Sequence, residues 1–330
     1  MATEVLKKEK KVDKAKKPQM QNFDGKAAKK RKNDDTVNSV RRARHGWIIT
    51  LFFSILSLAW IAPIIIVLLN SFKRKAYIFR NPFGISKFTL SEGFDKWKSG
   101  IHTTFNGLQN YTNAINKTEF FKAFGLSLFI TVCSVALILL CTSMCAWYIT
   151  RVKTKITKAI YILCLFSMIV PFQMVMFTLS KFANMLHLGN PVGIIIVYLG
   201  FGAGLAVFMF TGFVKGISIE IEEAAMIDGC SPLQTFFLVV MPIMKPTIVT
   251  VAILEAMWVW NDYLLPSLVL NINKYKTIPI AIQYLKQSHG QIDWGAMMAA
   301  LVLAIIPIVI FYAIAQKYII DGVLSGAVKG

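Results

Sequence analysis

Acidic residues are scarce in this chain. Its 330 residues hold 17 Asp and Glu against 36 Lys and Arg, and charged residues together reach only 16%, where an ordinary globular chain carries about 25%. The shortage is local, because several stretches of more than 20 residues carry no charge at all. A helix needs about 20 apolar residues to cross roughly 30 Å of hydrocarbon. With 55% hydrophobic residues and a mean hydropathy of +0.56, the chain reads as a polytopic membrane protein and not as a soluble enzyme.

Other absences narrow the chemistry. The five cysteines make no disulfide framework: Cys133, Cys141, Cys145 and Cys164 lie inside apolar runs and Cys230 in a polar loop. None has the spacing of a zinc site or a redox pair. His45, His102, His187 and His289 are scattered, so no metal chemistry is visible. No nucleophile–base set points to a membrane-bound enzyme. The chain also lacks a GxxxxGK[ST] phosphate loop, so it shows no means of binding ATP itself and no cofactor is expected in it.

Basic charge is concentrated at the start. Residues 1–45 hold 15 Lys and Arg against six acids, +9 of the net +19. This segment is poor in aromatic and β-branched residues and reads as a disordered tail. It is not a signal peptide, since a long polar stretch precedes the first apolar run and no cleavage pattern follows. A basic tail can attract nucleic acid or anionic lipid; a solvated cytoplasmic tail is the plainer reading.

Residues 46–330 then divide into six expected spans. The first runs from Gly46 to Phe72, the second from Ala123 to Thr150 and the third from Ala159 to Ser180, with Pro171 at a kink in its middle. The fourth follows Gly189-Asn190-Pro191 and continues to Val214. The fifth runs from Pro246 to about Leu270, interrupted by Glu255 and Asp262, and the sixth from Trp294 to Gln316. The tail, together with Arg151, Lys153, Lys155 and Lys158 between spans two and three, places both termini in the cytoplasm. Gly200, Gly202 and Gly204 in span four read as close helix packing.

The stretch from Lys215 to Pro246, KGISIEIEEAAMIDGCSPLQTFFLVVMPIMKP, is the most informative. Ser218 can cap a helix whose first turn carries Glu220 and Glu222. Gly229 falls where a helix needs a left-handed residue after its end. Ser231 caps a second helix, with Pro232 at its first position and Gln234 closing a capping box. Pro242 and Pro246 break that helix before span five. Two short helices joined by a glycine turn are therefore expected at about residues 216–245, on the cytoplasmic face. On these features alone the pair could equally be a surface hairpin that only tethers two spans.

Glu223-Ala224-Ala225, then Asp228-Gly229, then Pro242 resembles the EAA motif of ABC importer permeases. Asn110-Tyr111, Ala146 to Arg151, WVWNDYLLP at 258–266 and QKYIIDGVLSGAVKG at 316–330 resemble the maltose-type carbohydrate branch, and within it the smaller partner of a permease heterodimer. The resemblance implies an all-α type I permease with six transmembrane helices, working by alternating access. It also implies partners: a second permease, a cytoplasmic ATPase dimer that binds the ATP, an extracytoplasmic sugar-binding protein and membrane lipid, with no nucleic acid. Glu222, Glu223, Ala224, Ala225, Asp228, Gly229 and Pro242 would form the ATPase-coupling helices. Gly326, Val328, Lys329 and Gly330 would form a C-terminal contact with the ATPase. Cys230 stands where the motif usually has alanine.

Five residues could line a substrate path: Gln173, Glu255, Trp260, Asn261 and Asp262. Ionisable groups at membrane depth usually face a bundle interior or a water cavity, and aromatic rings beside amides and carboxylates suit sugars. Structural packing is the competing role for each. Glu255 and Asp262, two helical turns apart, face one way. An ion-coupled secondary transporter using this pair is the alternative function, and it would leave the capped hairpin without a task.

Overall fold

The computed structural model describes residues 46–86, 92–287 and 292–327. The tail at 1–45, together with His289, Val328, Lys329 and Gly330, lies outside the described residues. Two units are distinguished, Met1–Ile65 and Ile66–Gly330. The first contributes residues 46–65, the opening part of an apolar helix, α1 (Gly46–Ser71); the rest of the fold belongs to the second.

The described residues are helical almost throughout. After α1 come three short helices, α2 (Lys75–Arg80), α3 (Phe94–Thr104) and α4 (Gln109–Thr118), then α5 (Phe120–Arg151), α6 (Lys155–Ile169), α7 (Phe172–Met185) and α8 (Pro191–Val214). A hairpin follows, α9 (Ile219–Ile227) and α10 (Pro232–Ile243). The chain closes with α11 (Lys245–Asn261), α12 (Leu264–Val269), α13 (Ile278–Gln287) and α14 (Trp294–Ala327).

Four helices, α1, α5, α8 and α14, are each long and apolar enough to cross a membrane. Two bent pairs, α6 with α7 and α10 with α11, pass the same test together, which makes six when each pair counts as one span. The expected kink in span three is a break of 108° between α6 and α7. Its cause is Pro171, which forces Val170 out of the helical region, at ψ 119°, because the proline ring crowds the preceding residue. Span five is shorter than its apolar run: α11 ends at Asn261, and Asp262 caps α12 instead of continuing the helix. Span six is longer, since α14 continues eleven residues beyond Gln316 to Ala327 and takes Gly326 into the helix.

The core lies where α5, α8 and α11 meet, built on Ile130, Ile138, Ile194, Tyr198, Phe210 and Val251. In span four, Gly204 is where backbones approach: a Cβ there would sit 2.8 Å from the Cys164 carbonyl of α6. Gly200 faces open space, so it has no packing role in the structure.

α5 gives the bundle two ends. Its start meets a cap made of α2 to α4, α13 and the beginning of α14. In this cap Lys73 is fully buried, and its ammonium donates to the carbonyls of Asn81 (2.9 Å) and Pro82 (3.0 Å). Burial holds its pKa below the ordinary lysine range. Asn110 donates to the carbonyls of Ser71 and Lys73 at 2.8 and 2.9 Å, and Tyr111 bonds Ser71. The other end of α5, Trp147 to Arg151, meets the α9–α10 hairpin.

Candidate functional site

The hairpin forms for the reasons its residues suggest. Ser218 accepts from the Glu220 N–H at the start of α9. At its end the Gly229 N–H donates to Met226 and the Cys230 N–H to Ala225, the two bonds of a Schellman turn. Gly229 takes φ +90°, a conformation that costs a side-chain-bearing residue free energy. Ser231 and Gln234 make the reciprocal capping box of α10. The middle of α10, Phe236–Val240, widens into a π turn directly before Pro242, whose ring would crowd the Leu238 carbonyl in a regular helix. α10 then meets α11 at Met244 with a bend of 78°.

The inner face of the hairpin belongs to the membrane core. Phe236, Val240 and Met244 are fully buried and join the same cluster as Ala146, Phe210 and Val214. The Phe236 ring lies 5.4 Å from that of Trp147. The decisive contact is Glu222. One carboxylate oxygen accepts from Arg151 Nε at 3.0 Å and from its terminal nitrogen at 2.7 Å. The other accepts from the Trp147 indole N–H at 3.0 Å. Arg151 also donates to the Ile217 carbonyl. With Glu222 4% and Arg151 18% exposed, this is a desolvated pair with nearly every polar atom engaged.

The seven coupling candidates thus separate. Glu222 lies in α9 and is engaged within the chain by Arg151 and Trp147. Ala225 is buried against the core. Glu223, Ala224, Asp228, Gly229 and Pro242 face outward, beside Met226, Ile227 and Leu233, whose apolar side chains stand exposed, Ile227 at 85%. Sequence reasoning missed Trp147 and Arg151 as the anchor. Their only signal was a cation and an indole ending a span one turn apart.

The five path candidates do not converge. Glu255 and Asp262 do face one way, toward α8. The Asp262 carboxylate accepts from the Tyr198 hydroxyl at 3.1 Å and from the N–H groups of Leu264 and Leu265. Glu255 is buried, and Gly202 leaves room for it: a Cβ at Gly202 would lie 2.9 Å from the carboxylate. Trp260 points elsewhere, its ring 5.7 Å from Phe124, and lines an apolar cavity of about 580 Å³ between α5, α11 and α14. Asn261 is exposed and bonds the Met257 carbonyl. Gln173 is exposed on α7.

At the cap end lies a second cavity of about 750 Å³, lined by Lys117, Lys122, Lys274, Lys276, Tyr275 and Tyr284 among others. Asp293 sits at its edge and pairs with Lys117 at 2.5 Å. Burial pushes the Asp293 carboxyl up, but Lys117, the Ala296 N–H and Lys75 outweigh it and hold the group below the ordinary range. No group of three or more metal-ligating side chains exists among the described residues.

Comparison with known proteins adds the following. Residues 138–324 match the family described as binding-protein-dependent transport system inner membrane component. A probable starch degradation products transport system permease protein, AmyC, of Thermoanaerobacterium thermosulfurigenes is 38% identical over 86% of this chain and 97% of its own length. The arabinooligosaccharides transport system permease protein AraQ of Bacillus subtilis is 31% identical over 86% of this chain and 95% of its own. Among solved structures, a bacterial ABC transporter involved in import of the acidic polysaccharide alginate has the same fold, with TM-score 0.64 at 22% identity, covering 83% of this chain and 95% of that one.

Proposed function

We infer the working of this chain from what it belongs to: it is a binding-protein-dependent transport system inner membrane component, a multi-pass permease of an ABC importer and not an enzyme. The ion-coupled alternative finds no support in these relatives. The cargo we propose is a saccharide, an oligosaccharide in particular. The support is the relatives, whose names speak of starch degradation products and arabinooligosaccharides.

The chain works with a second permease, a cytoplasmic ATPase dimer that holds the ATP, and an extracytoplasmic sugar-binding protein. Both termini and the α9–α10 hairpin lie in the cytoplasm. One observation carries the mechanism: the hairpin is tied rigidly to the end of α5 through Glu222, Arg151 and Trp147, while Glu223, Asp228, Met226 and Ile227 are presented outward. An ATPase subunit gripping the outward face displaces the hairpin. The buried Glu222–Arg151 pair and the Phe236–Trp147 contact pass that displacement to α5, and the bend at Met244 passes it to α11. These two helices flank the apolar cavity that Trp260 lines, so the movement reshapes the membrane path. The terminal Gly326 to Gly330 segment adds a second contact with the ATPase.

The test is copurification followed by reconstitution. The chain is expected to draw an ATPase and a second permease from its native membrane, and the reassembled complex to import oligosaccharide only with ATP. Import sustained by an ion gradient without ATP would refute the reading.

A further inference from the structure

At the hairpin end, a pocket of about 550 Å³ opens between the ends of α5 and α8 and the start of α6. Its lining includes Arg151, Lys153, Lys158 and Lys215, with the hydroxyls of Thr154 and Tyr161. No carboxylate lines it. Arg151 is engaged by Glu222, but no carboxylate pairs with Lys153, Lys158 or Lys215 among the described residues. Three exposed lysines facing one small volume repel each other weakly across water, and an anion placed among them is attracted by all three. Lys215 already leans over the Tyr161 ring, 5.7 Å from its centroid.

The position selects the anion. The pocket sits where three membrane-crossing segments end, which is the depth of lipid headgroups. The α6 surface leading away from it is apolar and exposed: Ile160, Leu163 and Phe166 follow in turn. A phosphate held in the pocket would therefore leave attached acyl chains lying along α6. The capping box at the N-terminus of α6 already engages the N–H groups of Thr154 and Thr157, so the lysines and not the helix end are taken as the binding element.

We propose that Lys153, Lys158 and Lys215, with Arg151 at the back, form a binding site for the phosphate of an anionic phospholipid. The site lies beyond the transport function, and binding there can be measured whatever the chain carries. It adjoins the Arg151–Glu222 pair, so an occupied site adds negative charge next to the cation that anchors the hairpin.

The probe is amine acetylation of the full-length chain in vesicles, read peptide by peptide. In phosphatidylcholine vesicles containing phosphatidylglycerol, Lys158 and Lys215 are expected to react about fivefold more slowly than in phosphatidylcholine alone, in line with the attraction each basic residue has for an anionic surface. Lys155, next door but outside the pocket, serves as the reference for the general surface effect and should change much less. Equal slowing at Lys155, Lys158 and Lys215 would overturn the site. Equal protection by inorganic phosphate in pure phosphatidylcholine vesicles would overturn the lipid as its source. In a second arm, native mass spectrometry counts retained phosphatidylglycerol. The Lys158→Gln/Lys215→Gln variant should retain one lipid fewer, and Lys158→Arg/Lys215→Arg should keep it. Unchanged retention in the Gln variant would overturn the proposal.

Discussion

Glu222 and Arg151 form a pair whose two members have unequal claims on water. Glu222 is almost fully enclosed and Arg151 nearly so, and removing one partner of a buried pair costs about 3–5 kcal/mol because the other charge stays behind. Arg151→Met should therefore lower the thermal midpoint of the solubilised protein and abolish ATPase stimulation by sugar. Arg151→Met/Glu222→Met should recover much of the midpoint, since neither charge is stranded, yet stay uncoupled. Recovery of both properties would mean that the pair only stabilises. Asp293 gives a pH test at the opposite end. Its folded pKa is depressed, so the unfolded chain binds the proton more readily. The contribution is complete at neutral pH and is lost as pH falls below about 4, through the folded value. Hydrogen exchange in α4 and the first turn of α14 should accelerate in that window. Asp293→Asn should exchange faster at neutral pH and show little further change on acidification.

The hairpin is the element whose shape was most legible in the sequence. Ser218, Gly229, Ser231 and Gln234 act on neighbours within a few residues, so their spacing alone states the turn they make. What it left out was equally physical. The partner of Glu222 lies about 70 residues earlier on α5, and nothing local marks it. Span five is interrupted at Asp262 as its charge suggests: the carboxylate accepts from the N–H groups of Leu264 and Leu265, and the helix ends at Asn261. Trp260 and Glu255 were both expected on a substrate path, one as a sugar-stacking ring and one as a charge at membrane depth, and the helix turns them to different sides. The hairpin offers its own test. Gly229→Trp places a side chain at φ +90°, where strain costs about 1–2 kcal/mol, and opens the Schellman turn. The protein should still insert into the membrane, while sugar uptake and association with the ATPase fall together. Normal uptake with normal association would remove the coupling role from this turn.

For the whole molecule, the plan was readable because each span announces itself by hydropathy, and the resemblance at 223–242 matched the family found by comparison. The tail at 1–45 carries charge without a core-forming composition. A chain starting at Val40 should insert with its C-terminus inside, directed by Arg151, Lys153, Lys155 and Lys158, and support uptake near the full-length rate. Correct insertion with lost uptake would give the tail a role in assembly or regulation. The cap around Lys73 has a consequence for biogenesis. It is assembled from three distant places in the chain. Asn110 grips the backbone at Ser71 and Lys73, and Gly295 abuts Asn110 so closely that a Cβ there would lie 2.6 Å from it. The Trp294 ring meets Phe79 of α2. The partners of Lys73 itself, Asn81, Pro82 and Asn110, all precede α14 in the chain, and Gly295 and Trp294 of α14 meet the cap at Asn110 and Phe79. The cap is therefore a joint between early and late parts of the chain, and a copy cut before α14 would lack the Trp294 and Gly295 contacts that meet it.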